Sequence, residues 1–369
     1  MIAPLGPDVL PADVRARFID GVNGLRMHLL EAGSPDKPCV LLLHGFPEMA
    51  YSWRKVMPEL AAAGYYVVAP DQRGFGRTTG WDPAYDGDLA SFGALNLVRD
   101  IMGLLATLGR PHVAAVVGHD AGAGVAGWCA LLRPDLFHRV VLMSAPFVGS
   151  PGMGPVRGSG LHTALAKLDR PRKHYQWYYS TREANADMTG SRQGLHAFLR
   201  AYYHHKSADW AGNQPFRLAD ATAAEMARMP TYYIMDLDRT MPETVAQEMP
   251  SPEAIAACRW LPDSELRVYA EDYGRTGFQG GLQWYRCRTQ GVLRAEQQVF
   301  SGRTIDVPSL FIAGAQDWGI YQAPGAIETM QSTACSNMQG CHLLQGAGHW
   351  VQQENAAGVI SLLLTFLRV

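Results

Sequence analysis

Ala114-Ala115-Val116-Val117-Gly118-His119-Asp120-Ala121-Gly122-Ala123 reads as a buried strand, a sharp turn and the first turn of a helix. Gly118 and Gly122 flank Asp120 closely. Small flanks matter because the central residue of such a turn takes strained dihedrals while its backbone passes near the next helix. An ordinary helix start with Asp120 as its N-cap has the same local signature, so residues elsewhere in the chain have to separate the two. If the turn presents Asp120 outward, its carboxylate sets the chemistry. A serine there attacks acyl groups; a carboxylate attacks saturated carbon bearing a leaving group or a strained ring.

Working outward, short Val/Leu/Ile-rich runs recur, each closed by a turn signal: Cys39 to Leu43, Tyr66 to Ala69, Val113 to Val117, Val140 to Met143, Ser309 to Ala313 and Leu343-Leu344. Continuous apolar runs suit strands buried on both faces. Helical patterns lie between several of them, at Trp53 to Ala62, Leu89 to Leu108, Val125 to Leu132 and Val359 to Leu367. The alternation predicts an α/β fold with a mostly parallel, doubly wound sheet and functional loops at the carboxyl ends of its strands. The rhythm breaks after Phe147, in a stretch rich in Tyr, Trp, His, Met and Pro, and returns at Val307. The expected division is a core of 1–146 and 304–369 with an inserted, mainly helical cap at 147–303. Gly149 to Gly160, rich in Gly and Pro, is the expected hinge. A separate helical domain is the other reading; the return of strand patterning favours insertion. No internal repeat is visible.

The chain has 369 residues, a formal net charge of -2, 47% hydrophobic and 18% charged residues. That length supports a large core or a core with a second lobe. The balanced charge gives no basis for nucleic acid or an anionic membrane as partner. Met1 to Asp20 has no apolar signal-peptide segment, and no apolar run approaches the roughly 18 residues a membrane-spanning helix needs. Cys39, Cys129, Cys258, Cys287, Cys335 and Cys341 form no CxxC pair, and the expectation is reduced thiols in the cytoplasm, with a Cys335–Cys341 disulfide unsupported. His204-His205 lacks metal-ligand spacing and reads as surface or packing. Neither a metal nor a cofactor is expected, and a homo-oligomer is compatible with the sequence.

A nucleophile needs a base, and the base an orienting group. His349, in Gly346-Ala347-Gly348-His349-Trp350, follows the last expected strand; Asp317, in Gly314-Ala315-Gln316-Asp317-Trp318, follows the one before. Alone, His349 reads as a loop histidine and Asp317 as an N-cap. Together, the order Asp120, Asp317, His349 is similar to the nucleophile–acid–histidine order of α/β-hydrolases. Hydrolysis of an ester on Asp120 passes through an oxyanion that needs fixed N–H donors. The N–H of Ala121 fits, as does one from His44-Gly45-Phe46-Pro47-Glu48, where Phe46 is the candidate because Pro47 cannot donate. A plain turn would also explain that loop.

His44-Gly45-Phe46-Pro47-Glu48, then Ser52-Trp53-Arg54 and Asp71-Gln72-Arg73-Gly74-Phe75-Gly76, resembles the epoxide hydrolase branch of the α/β-hydrolases. The resemblance spans roughly Val40 to Trp350. It implies the α/β-hydrolase fold, Asp120 as nucleophile, an Asp317–His349 pair, and two cap tyrosines donating to the epoxide oxygen. His174-Tyr175-Gln176-Trp177-Tyr178-Tyr179 is similar to the family's first tyrosine motif, with Tyr175 as donor and Tyr178 and Tyr179 as close rivals. Gly277-Phe278-Gln279-Gly280-Gly281-Leu282-Gln283-Trp284-Tyr285-Arg286 is similar to the second, with Tyr285 as donor. A phenol suits such a step, because ring opening leaves an alkoxide too basic to depart unassisted, and a group with pKa near ~10 can protonate it. Tyr202, Tyr203, Tyr232 and Tyr233 read as packing residues. Ala121 departs from the bulky aromatic that many relatives carry there, so the pocket beside the nucleophile is expected to be roomier.

The implied reaction adds water to a small hydrophobic epoxide and gives a vicinal diol. A haloalkane dehalogenase usually cradles halide with Trp or Asn where this chain has Ala121 and Phe46, and a haloacid enzyme would place arginines where Ala121 and Gly124 stand. An esterase or lipase needs Ser at 120. A non-catalytic ligand-binding protein of the same fold is disfavoured by the retained Asp120, Asp317, His349 and motif tyrosines.

Overall fold

Eight of the chain's strands join in one sheet. The computed structural model describes residues 2–154 and 160–368. Its strands are β1 (Val14–Val22), β2 (Leu25–Ala32), β3 (Cys39–Leu43), β4 (Tyr66–Pro70), β5 (Ala115–His119), β6 (Val140–Met143), β7 (Arg172–His174), β8 (Ile234–Asp236), β9 (Ser309–Gly314) and β10 (Met338–Leu344). The main sheet runs β1-β2-β4-β3-β5-β6-β9-β10, with β7 and β8 paired apart. From β4 to β10 every pairing is parallel; β1–β2 and β2–β4 are antiparallel. Strands β3, β4, β5, β6 and β9 are buried at every position, as continuous apolar runs covered on both faces require.

The apolar-run signal misses β1 and β2. Exposed and buried positions intermix along β1, which carries Arg15, Arg17 and Asp20, and β2 buries His28 and Glu31. Edge strand β10 reaches five residues upstream of Leu343 because its polar residues lie partly exposed. The expected helix Trp53 to Ala62 is a short 3-10 turn, Ala50–Trp53, followed by a helix over Met57–Ala62. Pro58 suits that first turn, where its missing N–H costs no hydrogen bond.

Between β6 and β9 the chain is mostly helical, with Leu195–His205, Asp263–Thr276 and Gln279–Gln290 the longest helices. Of the expected hinge, residues 155–159 lie outside the described residues. This segment presses closely on the sheet-bearing part. A Cβ at Gly281 would meet the Phe46 ring at 2.7 Å and the Phe75 ring at 2.9 Å, and one at Gly280 would run into the Gly74 backbone. Two glycines in the second tyrosine motif are therefore demanded by contact. Ion pairs from Arg54 to Glu265 and from Arg77 Nε to Asp272 Oδ2 (3.2 Å) link the same two parts. The six cysteines are free, Cys335 and Cys341 among them. Among the described residues no helix is long and apolar enough to cross a membrane.

Candidate active site

Strand β5 ends at His119, and the helix Ala121–Leu132 begins directly after Asp120. Asp120 takes φ 51° and ψ -120°, a conformation that costs a residue with a Cβ about 1–3 kcal/mol. Its surroundings hold it there. Its N–H donates to the Met143 carbonyl at 3.0 Å, and its Oδ1 accepts the Phe46 N–H at 3.1 Å. A Cβ at Gly45 would meet Asp120 Oδ1 at 2.6 Å, one at Gly122 would strike the Leu43 and His44 carbonyls, and one at Gly118 the Gly122 carbonyl. The Asp120 side chain caps no helical N–H, so the N-cap explanation fails. Ala121, as first helical residue, has an N–H without an intrahelical partner, and no acceptor meets it among the described residues. Phe46 thus offers its backbone N–H to the Asp120 carboxyl, and Ala121 is the residue that follows Asp120.

His349 and Asp317 arrive from the loops after β10 and β9. His349 Nδ1 lies 3.0 Å from Asp317 Oδ1, and Nε2 lies 3.4 Å from Asp120 Oδ2. The second contact is electrostatic, since Nε2 has no aligned hydrogen bond. Asp317 also caps the 3-10 turn Trp318–Ile320 through Gly319 N–H at 2.7 Å. Asp317 thus both contacts His349 and caps the turn. Burial alone would raise the Asp120 carboxyl, but His349, with Lys206 and His119 behind it, holds it well below the usual carboxylate range. Burial and Lys206 both work to lower His349; Asp317 and Asp120 outweigh them and leave it raised. The resting pair is thus a carboxylate facing a histidine that favours its proton.

Six further residues brace this site, none given a role from the sequence: Glu48, His119, Lys206, Gln352, Gln353 and Glu354. His119 Nδ1 lies 2.7 Å from Glu48 Oε2, and its Nε2 lies 2.7 Å from the His349 carbonyl. A carbonyl can only accept, so Nε2 donates to it. Gln352 and Gln353 donate to the same Glu48 carboxylate. Glu354 accepts the N–H groups of Gly348 (2.9 Å) and Trp350 (2.9 Å), on either side of His349, and that of Ala208 (2.7 Å). Burial pushes its carboxyl up to about 8, against those three donors, which favour the charged form. Lys206 O accepts the His349 N–H at 2.9 Å. The Lys206 ammonium lies 5.2 to 5.8 Å from the ring centroids of Trp350, Tyr233, Tyr202 and Tyr232. A motif search has no signal for these partners, which come from segments far apart in the chain.

The two motif tyrosines pack together, and Tyr285 lies against Phe46. Tyr285 packs edge-on against Phe46 (centroids 5.4 Å), Tyr179 (4.9 Å) and Tyr175 (5.8 Å). After burial, the Asp120 charge is the largest influence raising both phenols, so both are neutral donors at rest. Tyr175 Oη donates to Gln322 Oε1 at 3.3 Å and accepts from Gln176 Nε2 at 3.1 Å. The rivals point elsewhere. Tyr178 donates to Asp187 at 3.0 Å and feels that carboxylate and Glu243 rather than Asp120. Tyr179 donates to the Tyr202 hydroxyl at 3.1 Å. Among the packing tyrosines, Tyr203 donates to the Pro47 carbonyl at 3.0 Å. His205 is buried against Trp210 and Tyr232, while His204 is partly exposed. Among the described residues no group of three His, Cys, Asp or Glu side chains is arranged to hold a metal ion.

A parallel sheet, an aspartate elbow and a histidine–aspartate pair on the last two strand loops define an α/β-hydrolase, and residues 38–157 match that fold's family profile. The chain is 33% identical over 359 residues to epoxide hydrolase A of Mycobacterium tuberculosis, covering 95% of this chain and 96% of that protein. It is 34% identical over 372 residues to epoxide hydrolase B of the same organism, covering 94% and 96%. Among solved structures, an epoxide hydrolase from an endophytic Streptomyces superposes with a TM-score of 0.77 at 30% identity, over 97% of this chain and 96% of that one. The chain belongs to the epoxide hydrolase branch of the α/β-hydrolase superfamily.

Proposed function

We propose that this protein hydrolyses small hydrophobic epoxides to vicinal diols through a covalent ester on Asp120. One observation carries the reading: the Asp120 carboxylate lies 3.4 Å from His349 Nε2, and its charge raises the Tyr175 and Tyr285 phenols, whose rings pack together at 5.8 Å. In the first step Asp120 attacks a ring carbon, the carbon–oxygen bond breaks, and the leaving oxygen takes a proton from Tyr175 or Tyr285. Esterification removes one of the two carboxylate charges that raise His349, leaving Asp317, so the imidazolium then releases its proton to solvent more readily and regains one when Asp120 is ionised again. In the second step His349, oriented by Asp317, takes a proton from water as the hydroxide adds to the ester carbonyl. The N–H groups of Phe46 and Ala121 hold the oxyanion. Collapse expels the diol oxygen, which recovers the proton from His349. The new Asp120 acid ionises and supplies the proton the tyrosine lost.

Residues 147–303 act as a cap over a core of 1–146 and 304–369, a division supported by the Gly280–Gly74 and Gly281–Phe46 contacts. The aromatic lining from Phe46 to Tyr285 favours an apolar substrate. Six free cysteines fit a reducing compartment, the cytoplasm.

The route is tested by one turnover in heavy-oxygen water with enzyme in excess. Solvent oxygen is expected in the Asp120 peptide, and the diol should be unlabelled. Label in the diol on that first turnover would mean that water attacks the epoxide directly.

The phenols are tested by rapid-quench measurement of alkylation. Tyr285→Phe and Tyr175→Phe should each slow it by roughly 10–100-fold, part of the 10²–10⁴ general-acid catalysis supplies. The double change should nearly abolish it, and the two effects should not add, because both donors serve one oxygen. Unchanged alkylation in Tyr285→Phe would remove that residue from the mechanism. An inert Tyr175→Phe would move its role to Tyr178 or Tyr179.

A further inference from the structure

Lys206 follows the helix Leu195–His205 and is only 4% exposed. A buried lysine ordinarily pairs with a carboxylate. Here the ammonium has neither a hydrogen bond nor an ion pair among the described residues. It rests instead over Trp350, Tyr233, Tyr202 and Tyr232. Burial lowers the Lys206 ammonium below its ordinary range, and the Asp120, Asp317 and Glu48 carboxylates work against that; the ring faces stabilise the cation without a contact ion. The box also fixes where the field of the ammonium acts. The Trp350 indole that Lys206 Nζ approaches to 5.2 Å packs against the His349 imidazole at 4.7 Å between centroids. The Lys206 carbonyl accepts the His349 N–H, and Glu354 ties Ala208, two residues on, to both neighbours of His349. Cation and imidazole are thus held in one rigid frame.

We propose that Lys206 is a positioning residue for ester hydrolysis: its boxed ammonium, which Asp317 and Glu48 still favour once Asp120 is esterified, disfavours imidazolium at His349 and so makes the base available. The proposal rests on the reading of His349 as the base. Asp120 and Asp317 favour the His349 proton, from the elbow and from the β9 loop. His119, on β5, donates to the His349 carbonyl and is paired with Glu48; Glu354 follows on the next helix. Esterification removes the Asp120 charge and leaves Asp317 opposed by Lys206, which accords with the lowering influence of Lys206 on the histidine. Without the lysine charge the imidazolium would persist to higher pH, and hydrolysis would fail first on the acid side.

The test follows formation and decay of the alkyl-enzyme by rapid-quench mass spectrometry with a styrene-type epoxide, from pH 5.5 to 9, in wild type, Lys206→Met and Lys206→Arg. Removing the charge should move the acid limb of the decay step upward by about one pH unit. Decay would then be about tenfold slower at the acid end and equal to wild type at the alkaline end. Lys206→Arg, which keeps the charge, should restore the wild-type profile. Superimposed wild-type and Lys206→Met profiles would overturn the proposal, as would a uniform loss at every pH, which marks a packing role. If Lys206→Met does not fold, Lys206→Gln supplies the same comparison. His349→Gln separates the two layers. If it forms no adduct, the base reading has failed; if it traps one while the Lys206 profiles coincide, only the lysine inference has.

Discussion

Asp120→Asn is expected to keep the fold and lose turnover by on the order of 10⁴–10⁶, the scale on which removal of a covalent catalyst falls. The structure separates the two outcomes. Asn retains an oxygen that can accept the Phe46 N–H, and the backbone bond from residue 120 to Met143 involves no side chain. The elbow conformation is tolerable for Asn, which enters positive φ more readily than most residues. Only the ionised, nucleophilic oxygen disappears. Turnover is to be measured on freshly purified variant, with mass spectrometry excluding deamidation back to Asp. Activity near wild type in that material would remove Asp120 from the nucleophile position.

His349→Gln should produce a different failure. Asp120 is already ionised and needs no base, so the variant should still be alkylated once. Lacking a base for water, it should stall with a mass equal to protein plus intact epoxide. Turnover should fall by roughly 10³-fold or more, since general-base catalysis alone supplies 10²–10⁴. With excess epoxide and Asp120 intact, absence of the adduct would place His349 ahead of alkylation instead. Asp120→Asn dead without adduct and His349→Gln dead with adduct form a pair of outcomes that a merely misfolded site cannot produce.

Much of the sheet was legible because a strand buried on both faces must be apolar throughout. β3, β5, β6 and β9 announced themselves in that way. β1 and β2 did not, since polar residues break the apolar run in each: Arg15, Arg17 and Asp20 along β1, His28 and Glu31 in β2. The helix whose apolar pattern starts at Val125 begins at Ala121, where the elbow stretch placed its first turn; Ala121, Gly122, Ala123 and Gly124 add little to the apolar pattern. Among the tyrosines, spacing alone left Tyr175, Tyr178 and Tyr179 as rivals. Their hydroxyl partners, Gln322, Asp187 and Tyr202, lie at sequence separations from 9 to 147 residues, which no local motif encodes.

The class of chemistry was already written in the order of residues. An aspartate at a glycine-flanked elbow, an acid and a histidine after the two final strands, and the Phe278 to Arg286 stretch each act through backbone geometry that neighbouring residues dictate. The distribution of charge around that chemistry came from tertiary packing instead. Glu48 braces His119, Glu354 spans the backbone on both sides of His349, and Lys206 stands in a box of rings from two segments between β6 and β9 and from the His349 loop. The physical reason is range. Backbone conformation is set within a few residues, whereas electrostatic fields in a dry interior act across whatever the fold has brought within several ångströms, regardless of position along the chain.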